Sequence, residues 1–200
     1  MKRTVLFLLL ILVFLSSVSA LQGLGVETLY RKKQGSLLVD GKRSSYGGTE
    51  LEVLLSSRTV VYDSYVVSFF GGINKVLSLT DDGVAKDVSS YPNAYFYGVG
   101  NSVMLPIDSG LLLEIGCSVS ATYLQHTIGT AHYDLRTTHL RIGGKVGVGE
   151  LEGGQFTVGL EYAIPLEGRI IEESGGTTTL YRVLYSGSAF GISAGFAFHL

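Results

Sequence analysis

The segment FGISAGFAFHL, residues 190–200, decides the fold of this chain. Its bulky and apolar side chains recur at every second position: Phe190, Ile192, Ala194, Phe196, Phe198 and Leu200. The residues between them are mostly Gly, Ser and Ala. A period of two residues is the period of a β-strand, whose successive side chains point to opposite faces. The segment is therefore predicted to be a strand with one apolar face and one face of small residues.

The same alternation occurs along much of the chain. It is clear in three earlier segments, residues 111–123, 139–148 and 156–164, and weaker in residues 23–30, 50–55 and 95–105. Residues 60–70 are also strand-like, but both of their faces are partly apolar. These segments together predict an all-β chain of eight strands.

The connections between these strands alternate in length. Short ones are predicted at residues 56–59, 106–110 and 149–154, and long ones at residues 31–46, 71–91, 125–135 and 166–187. Three of the long ones contain a residue pair that favours a tight hairpin turn: Asp40-Gly41, Asp82-Gly83 and Gly175-Gly176. Short periplasmic turns alternating with longer outer loops are typical of a closed transmembrane β-barrel. Ten strands are possible if residues 169–173 and 177–185 also cross the membrane.

The first twenty residues have the composition of a secretory signal peptide. Lys2 and Arg3 precede an uncharged apolar run at residues 5–15, and Val18-Ser19-Ala20 supplies small residues for cleavage. The run is shorter than the roughly 20 residues that a membrane-spanning helix needs. We therefore expect cleavage after Ala20, which leaves residues 21–200 as one barrel domain.

The composition of residues 21–200 excludes several classes of protein. Thirteen Lys and Arg stand against seventeen Asp and Glu, a formal charge of −4, so no basic surface for nucleic acid is expected. Cys117 is the single cysteine, so no internal disulfide can form. No apolar run of helix-spanning length remains, and open sheet edges cannot be satisfied in lipid, so a closed barrel is required for membrane insertion.

The two strand faces differ in a way that assigns them to lipid and lumen. One is rich in Gly, Ser, Thr and Ala with isolated charges, which suits the narrow interior of an eight-stranded barrel. The other is nearly uncharged over the last four strands, as a lipid-facing surface requires. We expect Leu113, Ile142, Val158 and Phe196 to face lipid, and Ser118 and Ser120 to face the lumen.

Aromatic residues lie near the predicted strand ends. Tyr30, Tyr95, Tyr123 and Tyr162 are at the outer end, and Phe156 and Phe198 are at the opposite end. Aromatic girdles of this kind mark the two interfaces of a membrane barrel.

On these residues the chain resembles the small eight-stranded outer-membrane barrels of the OmpA and OmpX type. The resemblance implies export to the outer membrane of a bacterium, contact with its lipid, and a monomer that periplasmic chaperones and the barrel-assembly machinery handle on the way. Members of this class usually end in alternating apolar residues with a terminal aromatic. Phe196, Phe198 and Leu200 correspond to this assembly signal, with Leu200 in place of the terminal aromatic.

Seven charged residues fall on the predicted inner face: Glu27, Glu50, Glu52, Glu114, Arg141, Lys145 and Glu161. Charges in a narrow lumen need partners of opposite sign, so we favour an internal ion-pair network that fills the barrel. We expect Arg141 and Lys145 to pair with Glu161 and Glu114 on the neighbouring strands. The alternative interpretations are an ion path or an acid–base pair.

Other motifs are weaker. Residues 191–195 match the pattern G-x-S-x-G, but they lie inside a predicted strand and not at the strand–helix corner that the pattern needs. His126 and His132, with Asp134 nearby, match no metal-ligand spacing. Arg31-Lys32-Lys33 is interpreted as a solvated charge run in an outer loop, with binding of lipopolysaccharide phosphates as the alternative. Catalytic residues, cofactors and metal ligands are therefore not expected.

Several functions remain open at this stage. A non-enzymatic barrel for surface interaction or envelope integrity is the first hypothesis. A small-solute channel, a lipid-modifying enzyme and a secreted soluble barrel with a ligand inside are the alternatives. The polar and charged inner face argues against the last of these, which would need an apolar lumen.

Overall fold

A computed structural model describes residues 23–62, 64–108, 110–151 and 154–199. The predicted signal peptide and Leu200 lie outside these residues. The described chain is almost entirely β-structure: β1 (Gly23–Val39), β2 (Lys42–Tyr62), β3 (Tyr65–Asp81), β4 (Val84–Lys86), β5 (Ala94–Asp108), β6 (Leu111–Ile128), β7 (Ala131–Leu151), β8 (Gly154–Ser174) and β9 (Thr177–His199). Within the described ranges, no helix is long and apolar enough to cross a membrane.

Eight of these strands form a closed antiparallel ring. Each long strand pairs with the long strands next to it in the chain. The short strand β4 pairs with the outer end of β3 and is not part of the ring. The ring closes between β1 and β9, whose pairing runs from Gly23–His199 to Val39–Val183. The predicted eight-stranded barrel is thus confirmed. The ten-strand alternative is wrong, because residues 169–173 and 177–185 are the outer parts of β8 and β9.

One predicted turn is wrong. Residues 56–59 are paired within β2, where Ser56 lies opposite Phe70 and Thr59 opposite Val67. The chain reverses instead between Tyr62 and Tyr65. Residues 60–70 therefore belong to two strands, and their apolar residues on both faces concealed the turn between them.

Most of the predicted long loops are also strand. The sheet continues to Val39, Asp81, Ile128 and Ser174, and within the described ranges only residues 87–93 form an extended stretch without strand pairing. Outside lipid the outward face of a hairpin no longer has to be apolar, so the period-two pattern fades although the strand continues.

The three predicted turn pairs are confirmed by their backbone conformation. The φ angles are 48° and 74° at Asp40-Gly41, 49° and 79° at Asp82-Gly83, and 57° and 79° at Gly175-Gly176. Positive φ at both central positions is the mark of a type I′ turn, whose twist matches that of the strands it joins.

The strands alternate between an exposed apolar face and a buried inner face. In β1, Leu24, Val26 and Tyr30 are 41–48% exposed, whereas Leu29 and Arg31 are only 1–2% exposed. A belt of exposed apolar side chains surrounds the barrel in this way, including Leu55, Ile73, Val99, Ile115, Ile142, Val158, Leu160 and Ile192. Such a belt is the expected lipid-facing surface of a membrane barrel.

Candidate functional site

The lumen is crossed at its middle by a layer of paired charges. Glu52 of β2 lies at its centre and is 1% exposed, and Arg31 of β1 and Arg141 of β7 are each 2% exposed. The alternation of the strands turns these side chains inward, because their neighbours Tyr30, Val53 and Ile142 belong to the lipid-facing belt.

Glu52 joins the two guanidinium groups. Its Oε1 accepts hydrogen bonds from Nη1 of Arg31 at 2.7 Å and from Nη2 of Arg141 at 3.3 Å. Its Oε2 accepts from Nη2 of Arg31 at 3.2 Å and from Nη1 of Arg141 at 3.0 Å. Asn74 of β3 adds a hydrogen bond from Nδ2 at 3.1 Å. Two-point pairing with a guanidinium holds the carboxylate in one orientation and also balances its charge.

Three further residues complete this layer. Arg31 also binds Glu50 at 3.0 Å, and Lys33 binds the other oxygen of Glu50 at 2.9 Å. Glu161 of β8 contacts Arg31 directly and lies 3.9 Å from Arg141. We call these six residues, Arg31, Lys33, Glu50, Glu52, Arg141 and Glu161, the central layer. It contains three cations and three anions.

Arg141 is held on its other sides as well. Its Nε donates to Oγ of Ser120 at 2.8 Å. Its Cζ lies 5.0 Å from the ring centroid of Phe96 and 5.5 Å from that of Phe70. A guanidinium over aromatic rings gains a cation–π attraction, which is stronger where water is excluded.

Two more ion pairs lie below the central layer. Lys145 of β7 pairs with Glu27 of β1, and Arg58 of β2 pairs with Glu114 of β6. Ser102 donates a hydrogen bond to Glu114 at 2.6 Å. In both ion pairs the partners are three strands apart around the ring, so the pairs span the lumen.

The expected pairing between neighbouring strands is confirmed for Arg141 and Glu161 and is wrong for Lys145 and Glu114. Glu114 and Lys145 are direct register partners, but each reaches a different residue across the lumen. Arg141 lies 3.9 Å from Glu161 and makes its closer contact with Glu52. In a barrel this narrow, long side chains from opposite walls meet at the axis as readily as those of neighbouring strands.

The sequence interpretation missed three of the cations. Arg31 is buried in the central layer and Lys33 pairs with Glu50, so the interpretation of Arg31-Lys32-Lys33 as a solvated run is wrong for both. Within the run Arg31-Lys32-Lys33, Lys32 alone is exposed. The signal was present, because residues 27, 29, 31 and 33 share one face when the period of β1 is extended. Arg58 was missed because it fell in the turn wrongly placed at residues 56–59.

The central layer separates two cavities. The inner one, of about 110 Å³, has polar and apolar walls in nearly equal parts and lies among Glu27, Arg58, Glu114 and Lys145. The outer one, of about 230 Å³, lies between the central layer and the outer hairpins. The two cavities share no lining residue, because the central layer forms the floor of one and the roof of the other.

The remaining candidates have ordinary structural surroundings. Ser193 of the G-x-S-x-G match is 4% exposed on the inner face of β9, in the middle of a strand. His126 stacks on Tyr91 at 5.1 Å, and Nδ1 of His132 lies 2.9 Å from Oγ1 of Thr127. In the described part of the chain, no three His, Cys, Asp or Glu residues are grouped so that they could hold a metal ion.

Five of the six aromatic residues of the predicted girdles are exposed on the outside of the barrel. Tyr30, Tyr95, Tyr162, Phe156 and Phe198 are 43–67% exposed on the outer surface of the barrel. Tyr123 stacks on Tyr97 at 5.6 Å, with their hydroxyl oxygens 2.9 Å apart. In the predicted assembly signal, the rings of Phe196 and Phe198 are in edge contact at 4.7 Å. Leu200 lies outside the described residues.

Solved structures with a similar fold are outer-membrane proteins. Neisserial surface protein A superposes with a TM-score of 0.55 at 12% identity, covering 88% of this chain and 97% of that protein. A major outer membrane protein from Thermus thermophilus gives 0.51 at 12% identity, covering 89% and 98%. The outer membrane protein AlkL, solved in lipid bilayers, gives 0.51 at 16% identity, covering 90% of each chain.

The sequence itself matches no protein-family model and no curated protein. At these identities the structural similarity establishes the fold. The chain has the architecture of the small outer-membrane β-barrels.

Proposed function

We propose that this chain is an integral protein of the bacterial outer membrane that is closed to solutes, is not an enzyme, and acts through its outer hairpins. The observation that carries the proposal is the balanced central layer, which closes the lumen below a set of long exposed hairpins. Closure argues against the channel alternative, because an ion path needs a continuous wet lumen. The G-x-S-x-G serine lies mid-strand on the inner face, away from any membrane lipid, which argues against lipid chemistry at that position.

The outer hairpins extend well beyond the lipid-facing belt. In β1 the belt ends at Tyr30 and the strand continues to Val39, which is about 30 Å along an extended chain. Aliphatic side chains are exposed near the hairpin tips: Val84 is 61% exposed, Ile128 60% and Leu180 63%. Exposed apolar groups at the ends of long hairpins suit contact with another surface. They favour surface interaction over a purely supporting role in the envelope.

Replacing these tip residues tests the proposal. Cells lacking the protein would be complemented with the full chain or with a V84S/I128S/L180S variant, and scored for attachment to epithelial cell layers and for growth in SDS. A T177S/T178S/T179S variant is the control, because it makes three changes at polar positions near the tip of one hairpin. We expect the first variant to lose attachment while SDS resistance is kept.

Attachment equal to that of the control would contradict the role of the tips. If deletion sensitises the cells to SDS and both variants restore resistance without affecting attachment, envelope support replaces surface interaction as the function.

Assembly partners form a separate part of the proposal. The pair formed by half-buried Phe196 and exposed Phe198 would present the strand β9 signal to the barrel-assembly machinery after delivery by periplasmic chaperones. A F198A variant is then expected to accumulate unfolded in the periplasm, which a shift in heat-modifiable gel migration would reveal.

A further inference from the structure

The outer cavity has walls that are unusual for the water-facing end of a barrel. Its lining contains aliphatic and aromatic side chains from almost every strand: Leu37, Tyr46, Val76, Leu79, Tyr91, Leu124, Leu135, Pro165 and Tyr185. The lining charges belong to Arg31, Lys33, Glu50 and Glu52 at its floor. An apolar chamber above a polar floor matches the usual composition of a small-molecule site.

The floor also contains polar side chains. Nδ1 of His139 and Nε of Arg31 have no hydrogen-bond partner within the described part of the chain, but both atoms are fully buried and do not reach the cavity surface. His139 lines the cavity beside Asn74 and Thr137. The amide of Asn74 and the hydroxyl groups of Thr137 and Ser188 belong to the lining residues, and these are groups that a bound polar head could meet.

The pairing between β8 and β9 is interrupted beside this cavity, although both strands continue. Pairing between β8 and β9 stops at Ala163–Ala189 and resumes only at Gly168–Val183. Four residues of β8 and five of β9 lie between these points, and we call this interval the slit. Pro165 has no N–H to donate to a neighbouring strand. The β7 pairing shifts register at the next residue, Leu166.

The slit lies at the outer edge of the lipid-facing belt. Tyr162 and Phe190 are directly below it on the outer surface. Leu166 and Leu184, within the slit, are 52% and 45% exposed. On the inner side Pro165 and Tyr185 line the cavity. Apolar side chains therefore continue from the lipid face through the slit into the cavity.

Tyr185 lies behind the slit on the inner side. Its hydroxyl is 3.1 Å from Oγ1 of Thr137, two strands away on β7, and its ring packs edge-on against Tyr46 at 6.3 Å. The side chain thus lies across β8 inside the wall. Rotation of this one residue would widen the connection between the lipid face and the cavity.

We propose that the outer cavity binds a medium-chain amphiphile with an uncharged hydroxyl head, and that the molecule enters from the outer leaflet through the slit. The apolar walls take the alkyl chain and the polar floor takes the head. A hydroxyl both donates and accepts, so it can pair with the amide of Asn74 and with the hydroxyl groups of Thr137 and Ser188. A charged head is disfavoured, because the three cations and three anions of the central layer already balance.

The size of the cavity limits the chain. An apolar cavity of roughly 150 Å³ holds a benzene ring. The outer cavity, at about 230 Å³, is therefore suited to a chain of roughly ten carbons.

Photolabelling identifies the bound molecule's position. The full-length mature protein in phospholipid nanodiscs would be irradiated with decanol that carries a diazirine at the chain end, and the adducts mapped by mass spectrometry. We expect adducts on the inward residues Leu124, Leu135 and Tyr185, in addition to background on the lipid-facing Leu160 and Ile192. Adducts confined to the lipid-facing residues would overturn the proposal.

Filling the cavity provides the matched comparison. The buried Ala189 lines the cavity, whereas Ala194 of the same strand is exposed on the lipid face. A189F should abolish the inward adducts and A194F should retain them, with heat-modifiable migration showing that both are folded. A163F, which fills the cavity from β8, replaces A189F if that variant does not fold. Inward adducts that persist in a folded cavity-filled variant would overturn the site.

Two further tests separate the route and the head group. A L166R/L184R variant places two charges in the slit, so the inward adducts from decanol should fall at least tenfold. Inward adducts equal to those of the unmodified protein would overturn access through the slit. Unlabelled decanol should reduce the inward adducts at least tenfold more effectively than ionised decanoate, and equal competition would overturn the preference for an uncharged head.

Discussion

Removing the carboxylate of Glu52 should destabilise the barrel more than any other single truncation in the central layer. Glu52 accepts two hydrogen bonds from Arg31, two from Arg141 and one from Asn74, and its side chain is 1% exposed. In an E52A variant two guanidiniums lose their shared partner, and the layer is left with three cations and two anions. Breaking a buried ion pair from one side costs about 3–5 kcal/mol.

Urea unfolding of the refolded protein in short-chain lipid vesicles measures this cost. For a slope of ~2 kcal/mol/M, the midpoint should fall by roughly 2 M with the slope unchanged. E167A is the control, because Glu167 and its partner Arg169 are 3.8 Å apart and about half exposed. Exposed pairs contribute about 0–1 kcal/mol.

A double variant separates the pairing from simple loss of packing. E52A/R141A removes one cation together with the anion, so its loss should be smaller than the sum of the two single losses. An E52A midpoint as close to wild type as that of E167A would refute the reasoning, and so would strict additivity in the double variant.

Three other outcomes follow from the geometry. I142R places a charge in the lipid-facing belt and should destabilise the barrel by about 2–4 kcal/mol in urea unfolding, whereas K32R, above the belt, should change little; equal effects would contradict the assigned faces. G176A should cost about 1 kcal/mol, because φ is 79° there while an added Cβ would meet no atom within 4 Å. Burial, with Tyr185 and Glu50 nearby, raises the pKa of Tyr46 to about 12, so Y46F should remove a late step from the ultraviolet titration of the tyrosines; an unchanged titration would count against this. The folded state favours the neutral form of Tyr46. The stability that this preference contributes is fully present below pH 10.0 and is lost as pH rises through about 12.

The sequence was sufficient for the ring of strands because lipid imposes a strict pattern. Each spanning strand needs apolar side chains on one face, and a narrow lumen needs small or charged ones on the other. Residues 190–198 show this pattern without interruption, so their faces could be assigned directly. The type I′ turns could also be found, since Asp-Gly and Gly-Gly pairs are among the few that tolerate positive φ at both positions.

Where lipid no longer constrains the chain, the pattern fails. Residues 31–39 of β1 are extended, but neither face must be apolar, so they were interpreted as a loop. The same limit concealed Arg31, whose inward position depends on β1 continuing past Tyr30. The partners of Lys145 and Glu114 could not be predicted either, because pairing across the lumen depends on the diameter of the barrel and the reach of each side chain.

Single-channel recording in planar bilayers tests the closed lumen most directly. With Arg31, Glu52 and Arg141 paired at the axis, the unmodified protein should give negligible conductance at neutral pH. Truncation at the layer, in R141A or E161A, should raise the conductance, because each change removes atoms that fill the lumen. Large and steady single-channel currents from the unmodified protein would contradict a closed barrel and would make a solute channel the better description of its function.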